Sequence, residues 1–355
     1  LRQSRRRDTQ TLVAFAGVQT NQFARTTDLA LRCREVGLQV IIGGFHVSGV
    51  LAMFGEPTEE LQKVLDHGVS LFKGEAEVPG ALARVLKDAL EGQLQPIYDV
   101  TESPDILNAP VPSPDVEILK KFVVPDISTI DTSRGCPFGC TFCTVINVQG
   151  RKMRHRSAET VLRYIEENYH KGIRKYFFTD DNFARNPVWE QILDGLISMR
   201  DRGKYIDFMI QVDTQAHRIS RFVDKLNKAG CYQVFVGMES LNPKNLEAMG
   251  KRQNHVEEYA GMVETWHKAD ILVQVGYIIG LPHDTVESVR KDVDYLCNHV
   301  KVDAAAFFML TPLPGSKDHY DLVDNQVPLD ADPNNYDSLH ETFRHKSMKP
   351  GDWKA

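Results

Sequence analysis

Three cysteines, Cys136, Cys140 and Cys143, stand within eight residues in the stretch SRGCPFGCTFCTV. The chain holds six cysteines in 355 residues, too few for a disulfide scaffold. Clustered thiols without a secretory leader read as reduced and metal-binding, which implies a cytoplasmic setting. Gly135, Pro137 and Gly139 keep the loop out of regular structure and let backbone N–H groups approach the sulfurs. Three readings compete. Unrelated thiols fit so tight a C-x3-C-x2-C spacing poorly. Structural zinc wants four protein ligands, and His155 is the nearest candidate for the fourth. Cys33, Cys231 and Cys297 lie on elements elsewhere and read as small buried or half-buried residues. A cubane iron–sulfur cluster accounts for the missing ligand. Soft thiolates suit it, electron-carrying clusters commonly take four, and three leave one iron open to a cosubstrate.

Those cysteines need a scaffold, and the chain supplies two strand–helix series. The first, residues 1–95, carries three apolar strands (TLVAFAG, LQVIIGGFH, VSLFKGEAE) alternating with helical stretches, the pattern of a helix-covered parallel sheet. A doubly wound domain normally has five or six strands, so this reads as an incomplete flavodoxin/Rossmann-like domain with its opening strands missing. A start at Leu1 rather than Met fits a fragment or a processed product. Residues 96–125 carry six prolines and little periodicity, and read as a linker. Six further strands, at 126–133, 175–181, 206–213, 231–240, 271–280 and 303–310, alternate with helices. Six β/α units over about 190 residues fall short of the about 250 of an eight-fold barrel, so 126–315 reads as a partial, open (β/α)6 TIM-like barrel. Functional residues then belong at the strands' carboxyl ends. Residues 316–355 form a C-terminal extension.

Bulk numbers exclude some classes. The formal net charge is −6 and the pI about 6.1, so nothing marks a nucleic-acid partner. The short basic run at residues 5–7 reads as a solvated tail. No run of about 18 apolar residues exists, so no membrane span is expected.

The order C-x3-C-aromatic-C after the first strand of a six-fold β/α series, with Phe142 before the third cysteine, resembles the radical S-adenosylmethionine (SAM) superfamily. The resemblance implies a [4Fe–4S] cluster on Cys136, Cys140 and Cys143, whose open iron chelates SAM. One electron then cleaves the S–C5′ bond to a 5′-deoxyadenosyl radical. It also implies an external electron donor such as flavodoxin or ferredoxin, and a small-molecule substrate. Asp180-Asp181-Asn182 stands where the family's polar motif holds the methionine ammonium; the plainer role is a helix cap, which Asn186 can fill alone. Glu239, in VGMES, stands where related families reach the ribose or methionine portion, although strand-end carboxylates are often merely exposed. Gln211 is a weaker candidate for that pocket. Gly276-x-Ile278-x-Gly280 resembles the segment lying against adenine, though strand glycines also mark bulges. TPLPGS resembles the family's closing proline–glycine turn. Arg156, His217 and His283 are faint substrate candidates, and surface roles suit them equally.

The N-terminal half resembles the later strands of cobalamin-binding domains fused to such barrels, on Gly43-Gly44-Phe45-His46 and Gly74-Glu75-Ala76-Glu77. Gly43 and Gly44 would then pass close to the cobalamin. No D-x-H-x-x-G is present, so His46 inherits no axial role. Cobalamin-dependent methyl transfer is one expected outcome, and cyclisation, rearrangement or sulfur insertion are others. The alternative is a non-catalytic iron–sulfur or cobalamin-binding redox or sensor module.

Overall fold

The chain alternates short apolar strands with helices, and the computed structural model describes residues 10–354 of it. The basic run at 5–7 and the Leu1 start lie outside the described residues. Two units result.

The first unit takes the residues up to Pro104, with Thr141–Gly150 and Thr311–Arg344. Its elements are β1 (Leu12–Phe15), α1 (Thr20–Glu35), β2 (Gln39–Gly43), α2 (Phe45–Phe54), α3 (Glu59–Asp66), β3 (Ser70–Lys73), α4 (Ala81–Glu91) and β4 (Ile97–Asp99). The four strands pair in parallel in the order β1-β2-β3-β4. Val40, Ile42, Val47, Leu61, Val64 and Leu71 form its core, each 0% exposed. Two of these elements escaped the sequence reading. β4 lies inside the stretch read as linker, because three residues carry no measurable periodicity; Tyr98 is buried there, and its O–H donates to Asp88 (2.8 Å). α2 escaped because His46 through Leu51 are all buried, so no polar face alternates with the apolar one.

The second unit takes Asp105–Cys140, Arg151–Leu310 and His345–Ala355. The rest of the stretch read as linker thus belongs to it, including α5 (Val116–Leu119), whose cap Asp115 accepts from the Glu117 N–H. Then follow β5 (Ile127–Ile130), β6 (Ser133–Arg134), α6 (Val145–Val148, in the first unit), β7 (Arg154–His155), α7 (Ala158–His170), β8 (Lys175–Phe178), α8 (Trp189–Asp201) and β9 (Asp207–Val212). The series ends with α9 (Phe222–Ala229), β10 (Cys231–Glu239), α10 (Pro243–Ala248), α11 (Tyr259–His267), β11 (Leu272–Ile279), α12 (Val286–Tyr295), β12 (Ala304–Met309) and α13 (Lys317–Asp324, in the first unit).

All six expected barrel strands form. They pair in parallel in the order β5-β8-β9-β10-β11-β12, with β5 and β12 left as edges, so the sheet stays open. Large aromatics fill its core: Phe178 stacks on Phe208 at 4.8 Å, and Phe222 meets Trp189 edge-on at 4.9 Å. Burying each such side chain contributes roughly 2–3 kcal/mol. The TPLPGS stretch at 311–316 and most of the C-terminal extension belong to the first unit, whereas 345–354 return to the second.

Candidate active site

The carboxyl end of β5 leads straight into the cysteine loop, and buried polar side chains fix its root. Asp180, two residues past β8, is 0% exposed. It accepts hydrogen bonds from the Thr132 N–H (3.1 Å), the Thr132 hydroxyl (2.8 Å) and the Ser133 hydroxyl. Burial pushes its carboxyl up to about 6, against those donors. Arg156 is likewise committed to structure. It is 2% exposed, forks onto Asp131 (2.9 and 3.1 Å), and donates to the Ala109 carbonyl at 2.8 Å. β6 and β7 pair antiparallel across the base of the same loop, placing His155 opposite Ser133.

Cys136 is half-buried and Cys140 buried. Burial pushes both thiols up, and the Lys251 ammonium pulls both back toward thiolate. Phe142 and Cys143 lie just beyond, in the part of the loop that belongs to the first unit, and both are half-buried. Among the described residues no three His, Cys, Asp or Glu side chains converge on a point that would hold one metal ion. The thiols of Cys136 and Cys140 beside a buried lysine fit thiolate ligation of a cluster.

Asp181 is open to solvent, yet the protein around it pushes its carboxyl up to about 6, the mark of a concave surface. Its charge also raises the Cys136 thiol. Asn182 is 3% exposed; its Nδ2 donates to Asp213 (2.9 Å), while its Oδ1 is buried without a partner. Such an orphaned acceptor is costly unless a ligand donates to it. Asp213, just past β9, is gripped by the Arg185 fork at 2.7 and 2.8 Å. Burial opposes its charge, but Arg185 and Asn182 hold its carboxyl below the usual range. Arg185 also lies over the Phe138 ring of the cysteine loop, at 5.5 Å. Gln211, on β9, donates to the Asp180 carbonyl at 3.2 Å.

On the next strands, β10 ends in a register shift between Gly237 and Glu239. Glu239 adopts φ +65°, a left-handed conformation that a non-glycine residue pays for in strain. Its Oε1 pairs with Lys251 at 2.8 Å, and both side chains are nearly buried. Lys251 also donates to the Gly237 carbonyl at 3.2 Å. Burial opposes the lysine's charge, but Glu239 and Cys140 outweigh it and raise its pKa. Gly276 pairs with Gly237 across β10 and β11, and a Cβ there would stand 3.0 Å from Phe235 and 3.6 Å from Glu239 Oε2. Ile278 is buried. Gly280 closes β11 beneath the Trp353 ring. Asp180, Asp181, Asn182, Gln211, Glu239, Gly276, Ile278 and Gly280 thus gather along one end of the open sheet with Cys136 and Cys140.

Sequence reasoning missed Lys251, Arg185 and Asp213. Lys251 sits in GKRQN, which looks like a solvated charge run; only the register of β10 shows its partner. His217 Nδ1 donates to the Thr214 carbonyl (2.9 Å), and His283 is exposed. Among the remaining cysteines, Cys231 is buried, Cys33 is half-buried and Cys297 is exposed, contrary to the expectation for the last.

In the first unit, Gly44 stands at φ +143°, and a Cβ there would meet the Val18 amide nitrogen at 2.1 Å. At Gly43 it would meet Phe72 Cβ at 3.2 Å. The protein's own packing therefore accounts for the glycine pair, which presents no open cradle.

Residues 130–296 match the model of the radical SAM superfamily. Those residues form a radical SAM domain. The chain is 26% identical over 328 residues to bacteriochlorophyllide d C-12(1)-methyltransferase of Chlorobaculum tepidum, covering 89% of this chain and 66% of that one. It is 25% identical to hopanoid C-2 methylase of Rhodopseudomonas palustris, over 75% of this chain and 49% of the relative. Its fold matches the radical SAM methyltransferase TsrM of Kitasatospora setae, solved with tryptophan and a SAM analogue, at TM-score 0.70 and 17% identity, covering 90% of this chain and 66% of that one. It also matches OxsB, a cobalamin-dependent SAM radical enzyme solved with aqua-cobalamin, at TM-score 0.68 and 16% identity, over 95% of this chain and 56% of that one. The chain thus spans about two thirds or less of the length of these relatives. Among the described residues no helix is long and apolar enough to cross a membrane.

Proposed function

We propose that this chain is the catalytic core of a radical SAM enzyme, and that methyl transfer to a small molecule is its reaction class. The observation that carries the reading is the three-cysteine loop at the carboxyl end of β5, one ligand short, beside a buried Asn182 oxygen that lacks a donor. Cys136, Cys140 and Cys143 would hold a [4Fe–4S] cluster, which when bound supplies the electron that cleaves the S–C5′ bond of SAM.

The chain's own residues prepare that step. Lys251 favours the thiolate form of Cys136 and Cys140, the form that ligates iron. Asp180 pins Thr132 and Ser133, so the loop leaves β5 in one direction. Asn182 Oδ1 would accept a hydrogen bond from the methionine ammonium, and Asp181 adds negative charge nearby. Arg185 and Asp213 orient the Asn182 amide so that its oxygen stays available. Glu239 is held toward the ribose hydroxyls by Lys251 and a strained backbone, while Gln211 lines the same pocket. Gly276, Ile278 and Gly280 border the adenine, and Phe142 shields the cluster loop. The four-stranded first unit would be the place for cobalamin, on likeness of fold to OxsB, while Gly43 and Gly44 answer to the unit's own packing. An external electron donor of the flavodoxin or ferredoxin type and a cytoplasmic setting complete the reading.

The test is anaerobic reconstitution with iron and sulfide, followed by reduction in the presence of SAM. A brown protein that releases 5′-deoxyadenosine or a demethylated cosubstrate supports the proposal. Bound cluster with intact SAM makes it a redox carrier instead, and colourless protein with stoichiometric zinc overturns the cluster altogether.

A further inference from the structure

The end of β11 is held from two sides. On one side Asp284 Oδ2 accepts from the N–H groups of Gly280 (3.0 Å) and Leu281 (2.9 Å). Its Oδ1 accepts from the Asn245 side chain at 2.6 Å, and Asn245 Oδ1 accepts from the His283 N–H at 2.9 Å. On the other side lies the segment 345–353. His345 is 7% exposed. Its Nδ1 accepts from the N–H groups of Ser347 and Met348, both at 3.0 Å, so this nitrogen carries no proton. The proton therefore sits on Nε2, which donates to the Leu281 carbonyl at 2.9 Å. Trp353, 4% exposed, meets the His345 ring edge-on at 5.7 Å and covers Gly280. A Cβ on Gly280 would stand 1.9 Å from Cζ3 and 2.2 Å from Cη2 of the indole. Glycine at 280 is thus required by the indole as well as by its φ of +96°.

We infer that residues 345–353 form a clasp that fixes the carboxyl end of β11 in the shape that receives the adenine of SAM. Trp353 and His345 are positioning residues: they touch the strand end, not the cosubstrate. The inference rests on the reading above, in which β11 borders SAM. Without the clasp the Gly280–Leu281 turn keeps only its Asp284 hold. Affinity then falls by the fraction of molecules whose turn is misplaced.

Hydrogen exchange followed by mass spectrometry on the full chain, without cosubstrate, tests the clasp itself. In Trp353→Ala and His345→Leu, peptides covering 276–284 exchange at least about tenfold faster, a measure of local opening. Peptides covering β9 stay unchanged, and Trp353→Phe stays near wild type. Equilibrium dialysis of SAM against the anaerobically reconstituted proteins tests its purpose: Trp353→Ala binds about tenfold more weakly. KM for SAM cleavage rises in step, and kcat changes little. Faster exchange confined to 345–353 overturns the clasp, whatever β11 binds. Faster exchange at 276–284 with unchanged SAM affinity overturns its role in binding. Wild-type protein that binds no SAM overturns the underlying reading, and the exchange data separate that failure from failure of the clasp.

Discussion

The ends of β8 and β9 carry buried acids, and so does the end of β10, but the two regions use them in opposite ways. Asp180 and Asp213 are surrounded by donors from their own neighbourhood: Thr132 and Ser133 for one, Arg185, Asn182 and the Gln215 amide for the other. Glu239 instead sits on a strained backbone and pairs with a lysine that also faces the cysteine loop. The first pair is architecture; the second holds charge in reserve at a site. A carboxylate's burial does not distinguish these uses, whereas the identity of its donors does.

Mutations can break that contrast, beginning with the strongest. Asp213→Ala strips the counter-charge from Arg185 and a partner from Asn182, and should cost about 3–5 kcal/mol, read as a fall in the denaturant midpoint. Asp180→Ala leaves the hydroxyl protons of Thr132 and Ser133 without their acceptor and should cost about 1–3 kcal/mol. It should also lower the iron content after reconstitution, because the loop root loosens. Asn182→Ala should lose about tenfold in SAM affinity, close to 1.4 kcal/mol, with a smaller loss of stability. Equal losses in the two measurements would place Asn182 with the architecture. The smallest effect is on pH dependence. The Asp181 carboxyl, raised to about 6, is ionised above that pH and neutral below it, so its pull on an ammonium weakens as pH falls. SAM affinity should decline between about pH 7 and 5 in the wild type, and the decline should flatten in Asp181→Asn.

Much of this was legible in the sequence, for identifiable reasons. The first five barrel strands announce themselves as apolar runs leading into Asp, Glu or Gly and the sixth runs into a proline–glycine turn, while the cysteine spacing marks a thiolate site. What stayed hidden depends on tertiary neighbours. Arg185 is one of 42 Lys and Arg residues until β8 and β9 lie side by side and Asp213 meets it. The antiparallel pairing of β6 with β7 involves two residues on each strand, below any periodicity. Gly280 was assigned to adenine on its motif, while its close contact is Trp353, seventy-three residues on in the chain. No local pattern encodes that meeting.

The left-handed Glu239 carries an implication for laboratory evolution. Relieving such a residue with glycine typically gains about 0.5–1 kcal/mol or more where no side-chain contact is lost. Here the lost ion pair strands the nearly buried Lys251, which outweighs that gain. A library sorted for heat resistance alone should therefore favour a paired exchange, Glu239→Gly with an apolar residue at 251, and the survivors should have forfeited chemistry for robustness.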